Sequence, residues 1–264
     1  MKHIKLLAAI SIIATIYFYM SDSDSTSENN KNIKVRPAHI SQSKVLSKKD
    51  KKNKKQSKEI KSRKTDFSDS ELFAKLQPPS NRELEDTWLD EYGCYNKAEC
   101  KYYYLNASTY EEALWMKNNG YPTESMMKLV NDPSYKEQLD AMARKKYPAA
   151  LAIASISAME RGDFVEASNL ALSNVAYSDR AQTYPHLLYG EALLANNMKP
   201  LAVPQFYIAG LLGDNLSQGR AMALSPDVYF STSALNNAHH YLRNIFGGQP
   251  IPKNPRPKPT GDGG

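Results

Sequence analysis

Residues 148–214 read PAALAIASISAMERGDFVEASNLALSNVAYSDRAQTYPHLLYGEALLANNMKPLAVPQFYIAGLLGD. Small and large apolar residues recur there at helical spacing, and two similar helix-turn-helix phrases follow one another. The first predicts a helix over 149–161 and another over 164–177, joined by Gly162-Asp163. Asp163 with Glu166 is a capping pair, and Gly162 supplies a permissive turn. The second predicts helices around 187–196 and 200–212. Setting Ala167 against Ala202 gives an offset of 35 residues, a period typical of stacked helical hairpins.

Shorter helices flank this centre. Ser68 with Glu71 forms a capping box before Leu72, and Pro78-Pro79 ends that helix. Residues 81–92 place Leu84, Trp88 and Leu89 on one stripe, broken at Gly93. Thr109 with Glu112 caps the next helix, which Asn118-Asn119-Gly120 stops. A helix over 123–130 ends at Asn131-Asp132-Pro133, and Ser134 with Glu137 caps a third carrying Leu139, Met142 and Ala143. Residues 226–246 form a terminal amphipathic helix closing the stack. Short helices joined by two- to four-residue turns are what an α-solenoid requires.

The centre resembles the tetratricopeptide and Sel1-like class of helical repeats. Gly162, Asp163, Phe164, Glu166 and Ala167 carry the likeness in the first unit; Gly190, Ala202, Phe206 and Ala209 carry it in the second. Small residues at such positions let the helices of a hairpin approach closely while aromatics fill the adjacent gap. The chain departs from the class at Ser155, and at Asp179 and Asp214, where a terminal proline is common. Pro185 and Pro204 fall near helix starts. The resemblance implies an all-α domain over 65–246, a right-handed superhelix of helix-turn-helix hairpins whose concave face binds a protein or peptide. Register within the class places Ile156, Met159, Tyr184 and Glu191 towards that groove. For Ile156 and Met159 a place in the core is the competing expectation.

The N-terminus MKHIKLLAAISIIATIYFYM has Lys2 and Lys5 ahead of an uncharged apolar run, the pattern of a signal anchor or signal peptide over residues 1–20. As a helix the run spans about 25 Å, slightly short of a hydrocarbon core of roughly 30 Å. Lys31, Lys34 and Arg36 beyond it oppose the orientation that Lys2 and Lys5 favour. Cys94 and Cys100, the two cysteines of the chain, would stand about 9 Å apart along an unbroken helix, too far for a disulfide. Gly93 and the polar residues between them allow a loop instead, and a disulfide closing it would stabilise the fold by roughly 2 kcal/mol. An even, closely spaced pair behind an export signal points to an oxidising compartment. The expected location is therefore the inner membrane facing the periplasm, or the periplasm or exterior if the N-terminal segment is cleaved.

Residues 21–64 are a linker predicted to be disordered. Between Lys31 and Lys64 there are 14 lysines and arginines against Asp50 and Glu59, a local charge of +12, whereas the whole chain of 264 residues carries +6. The remainder is thus mildly acidic, which argues against a nucleic-acid groove on the folded part. The linker is either a solvated spacer or a contact for anionic lipid and envelope polymer. Residues 247–264, with five prolines, read as a disordered, extended Pro/Gly-rich tail.

No nucleophile elbow, phosphate-binding glycine loop, H-E-x-x-H or dinucleotide fingerprint occurs. His239-His240 are adjacent, so their rings diverge on a helix. The sequence therefore predicts no catalytic residue, metal ligand or cofactor. It favours an interaction scaffold, with a basic-linker tether second and a glycan-acting enzyme third.

Overall fold

The computed structural model describes residues 69–93 and 106–257. The expected membrane segment, the basic linker, the Cys94–Cys100 pair and the last seven residues lie outside that set. Among the described residues the chain is all-α, with eleven helices and no strand. They are α1 (Asp69–Lys75), α2 (Asn81–Tyr92), α3 (Tyr110–Asn118), α4 (Glu124–Met127), α5 (Lys136–Arg144) and α6 (Pro148–Glu160). There follow α7 (Phe164–Tyr177), α8 (Tyr184–Ala195), α9 (Lys199–Leu212), α10 (Asn215–Leu224) and α11 (Val228–Ile245). None of these helices is long and apolar enough to cross a membrane.

Side-chain caps set several of the starts. Thr109, Thr123, Asp163 and Asp227 each accept the N–H three residues on. Ser80 and Glu83 close a reciprocal capping box on α2. Ser134 does not cap α5 as expected; its hydroxyl and N–H both donate to Asp132, and Tyr135 precedes the helix without a side-chain cap. α4 is a single turn rather than the expected 123–130. α10 has no counterpart in the sequence reading, since glycine, serine and asparagine dilute its apolar pattern. Packing on α9 holds it in place.

The core is laid around α6 and α8. α6 buries eight residues, Ala150 to Ile156 and Ala158, and α8 buries eight more. A helix apolar on every side must be enclosed on every side. α6 is covered by α5, α7 and α8; α9 packs on α8; α10 and α11 pack on α9. The paired helices α6–α7 and α8–α9 match closely. α7 and α9 each have 14 residues and begin 35 residues apart. The left-handed turn residues Gly162 (φ 79°) and Asn197 (φ 59°) fall at the same offset.

Small residues set the spacing. Gly190 on α8 lies against Phe206 of α9, and a Cβ built there would stand 2.7 Å from the ring. Ser155, the departure from the repeat pattern, is fully buried and donates to the Ala167 carbonyl at 2.9 Å, tying α6 to α7. Asn174 donates to the Pro148 carbonyl at 2.6 Å and fastens the other end of the same hairpin. Pro185 sits in the first turn of α8, as a proline should, but Pro204 lies well inside α9. There its missing N–H leaves the Pro200 carbonyl without its helical donor.

Gly190→Ala gains roughly 1 kcal/mol of helix propensity, against an overpacking cost of about 1–3 kcal/mol on the fully buried Phe206 ring. We expect net destabilisation, seen as a lower urea midpoint, and recovery when Phe206→Leu is combined with it. A second prediction concerns His186, buried between Gln205, to which Nδ1–H donates at 3.0 Å, and the edge of Tyr241. Burial pushes this imidazole down to about 4, with the Gln205 hydrogen bond opposing. The unfolded chain therefore binds the extra proton first. Stability should be full above pH 6.5 and fall as pH drops towards 4, by about 3 kcal/mol in total. Urea unfolding at several pH values should show this slope, and His186→Gln should remove it.

Candidate functional site

The most developed polar constellation is a buried arginine site formed by α3, the end of α9 and the C-terminal segment. Thr109 caps α3, accepting the Glu112 N–H at 3.2 Å, and thereby fixes Glu112 in the first turn facing inward. Glu112 Oε2 accepts the Ser108 N–H at 2.6 Å. Its Oε1 accepts from Arg256 Nε at 2.6 Å, with both side chains almost fully buried. Arg256 Nη2 donates to the Asn106 carbonyl at 3.0 Å and reaches Met116 Sδ at 3.6 Å. The guanidinium lies 5.5 Å from the Trp115 ring centre and 5.6 Å from that of Tyr121, within cation–π range.

A second carboxylate, Asp214, closes the site. Its Oδ2 accepts from the Tyr121 hydroxyl at 3.0 Å and from Ser217. Its Oδ1 stands 3.7 Å from Arg256 Nη1, too far for a hydrogen bond, and has no other partner among the described residues. Burial, and then the Asp214 charge, push the Tyr121 phenol well above its ordinary range, so it stays a neutral donor. Tyr184 packs behind Tyr121 in a tilted contact at 4.9 Å between ring centres, and its N–H donates to the Asn119 carbonyl.

The segment that delivers Arg256 is held mainly by its backbone. The Arg256 N–H donates to the Gly213 carbonyl at 2.9 Å and the Asn254 N–H to that of Leu212 at 3.4 Å. These acceptors are carbonyls left over at the end of α9. Trp115 Nε1–H donates to the Asn254 carbonyl at 2.6 Å. Gly213 has φ 132°, and a Cβ there would fall 2.0 Å from that same carbonyl oxygen. Composition reads 247–264 as an extended tail. Residues 249–257 do lack helix and strand, yet Arg256 is only 4 % exposed because two carboxylates and two aromatic faces enclose it.

The four residues assigned to a groove are dispersed. Ile156 (4 % exposed) and Tyr184 (2 %) are core residues, because the faces of α6 and α8 that carry them are covered by neighbouring helices. Met159 is half-buried against the core. Glu191 keeps some exposed surface and accepts from Arg220 Nη2 at 2.6 Å. Burial raises the Glu191 carboxyl pKa, with Arg220 opposing. His239 and His240 both line an open cleft of about 520 Å³ with Asn236, Arg243 and residues 248–251. Among the described residues no group of three or more histidine, cysteine or carboxylate side chains is placed to hold a metal. Sequence reasoning missed the arginine site because its members are scattered; Glu112 and Arg256 are 144 positions apart. The one local signal was the Thr109–Glu112 cap, which explains Glu112 without an arginine.

Arg256→Met should cost about 3–5 kcal/mol, because it strands two buried carboxylates. Adding Glu112→Gln should recover part of the loss, and urea unfolding of the single and double variants measures both. No protein-family model, curated protein or solved structure matches this chain.

Proposed function

We propose that the protein is an envelope-located helical scaffold whose tetratricopeptide-like hairpins stack into a right-handed superhelix and bind a protein or peptide segment on the concave face. The observation that supports this best is the matched pair of hairpins, α6–α7 and α8–α9, repeated at 35 residues. Hairpins of this kind bury a shared core and leave an extended surface suited to long partner segments. Of the groove residues, Met159 and Glu191 retain exposed surface and are the contacts we assign. In this reading residues 1–20 anchor or export the domain, and Cys94 and Cys100 pair in the oxidising periplasm. A tether acting through the basic linker is the second reading, favoured by the +12 charge of residues 31–64 and attraction to anionic lipid or cell wall.

A photo-crosslinking residue placed at Met159 in living cells should capture one defined partner. The same probe at Tyr177, 55 % exposed on α7, should not. Equal capture at both positions, or none at Met159, would reject the groove. Deleting residues 31–64 should leave capture at Met159 intact. Loss of envelope localisation together with capture would favour the tether.

A further inference from the structure

We propose that the pocket of Glu112, Asp214, Trp115 and Tyr121 is a peptide-recognition site for an arginine set between prolines, and that the chain's own Pro255-Arg256-Pro257 fills it in cis. This deepens the scaffold reading, on which it rests, by naming a second binding surface and the chemistry of its ligand. The contacts on the segment are those of a bound peptide. Two backbone N–H groups donate to the free carbonyls of Leu212 and Gly213, one backbone carbonyl accepts from Trp115, and one side chain enters a pocket. Such contacts do not depend on the covalent link to α11, so an unlinked segment of the same sequence presents the same groups.

Three observations indicate that the cis segment is replaceable. It buries a single side chain: residues 247–250 and 252–255 are exposed, Ile251 is half-buried, and Arg256 alone is buried. The link to α11 passes through Gly247 and Gly248, at φ 60° and 79°, beside the open cleft at His239 and His240. The fit is also incomplete. The pocket sets two carboxylates against one guanidinium, and Asp214 Oδ1 is buried without a hydrogen bond, 3.7 Å from Nη1. An arginine free of the tether can settle closer to Asp214 and give its Oδ1 the charge-assisted bond that this carboxylate oxygen has no donor for here.

The test introduces a protease site between Gly247 and Gly248 of the full chain, so that cutting leaves every residue in place. Fluorescence anisotropy then follows a labelled peptide of sequence KNPRPKP. We expect the peptide to bind the cut protein and the full-length Arg256→Ala variant at least about tenfold more tightly than the intact chain. Replacing the peptide arginine with citrulline should weaken binding by about tenfold or more, the usual loss for a charge-assisted bond. Indifference to citrulline overturns the proposal, as does absence of exchange in the cut protein. Unfolding on cutting also overturns it, since the segment would then be an inseparable part of the core. A dimer of intact chains that binds no free peptide overturns it in favour of self-exchange. Capture at Met159 tests a different surface, so the two proposals fail separately.

Discussion

α6 and α8 are apolar over most of their surface, and the rest of the domain is arranged to meet that condition. A helix built of alanine, leucine and isoleucine on every side is stable in water only when other helices cover it all round. The alanines of α6 and Gly190 of α8 then allow those covers to come close, as the contact between Gly190 and Phe206 shows. Close approach brings Ser155 within reach of Ala167 and Asn174 within reach of Pro148. The Ser155 hydroxyl and the Asn174 amide N–H that such packing buries are thereby paired across the hairpin rather than left to water.

Around this apolar block, charged side chains join elements that are distant in sequence. Arg256 links the start of α3 to the end of α9, and Arg220 links α10 to Glu191 on α8 while lying over the Phe206 ring. The Arg256 pairs are buried and the Arg220 pair is partly exposed; the buried ones add little net stability, because desolvation offsets most of the attraction. They penalise misplacement heavily, since a carboxylate left alone in the core has no other partner. Their effect here is to fix where the C-terminal segment and α10 sit, which the non-directional apolar contacts leave open.

The same physics separates the two proposed surfaces. A groove on a helical stack would draw affinity from area spread over several hairpins. The arginine pocket concentrates recognition in one guanidinium and three backbone hydrogen bonds, with the surrounding segment left in solvent. A ligand for such a pocket is defined by one side chain and its immediate neighbours, and the chain carries a copy of that motif at its own C-terminal end.

The sequence by itself determined the helical class, the extents of α6, α7 and α9 and the 35-residue offset, because these depend on periodicity, turn residues and caps that act over a few positions. α8, however, starts at Tyr184, three residues before the expected 187. Thr109 and Asp163 cap where their spacing predicts, and Gly162 turns where it must. Local signals misplaced the start of α5, where Ser134 turned to Asp132, and gave no sign of α10, which packing on α9 sustains. Only the tertiary structure decided that Tyr184 and Ile156 are enclosed, and that Arg256 leaves a proline-rich tail to meet Glu112 and Asp214. Enclosure depends on which helices cover which faces, and charge pairing at such separations depends on the folded path of the chain. Neither leaves a periodic trace in the residues themselves.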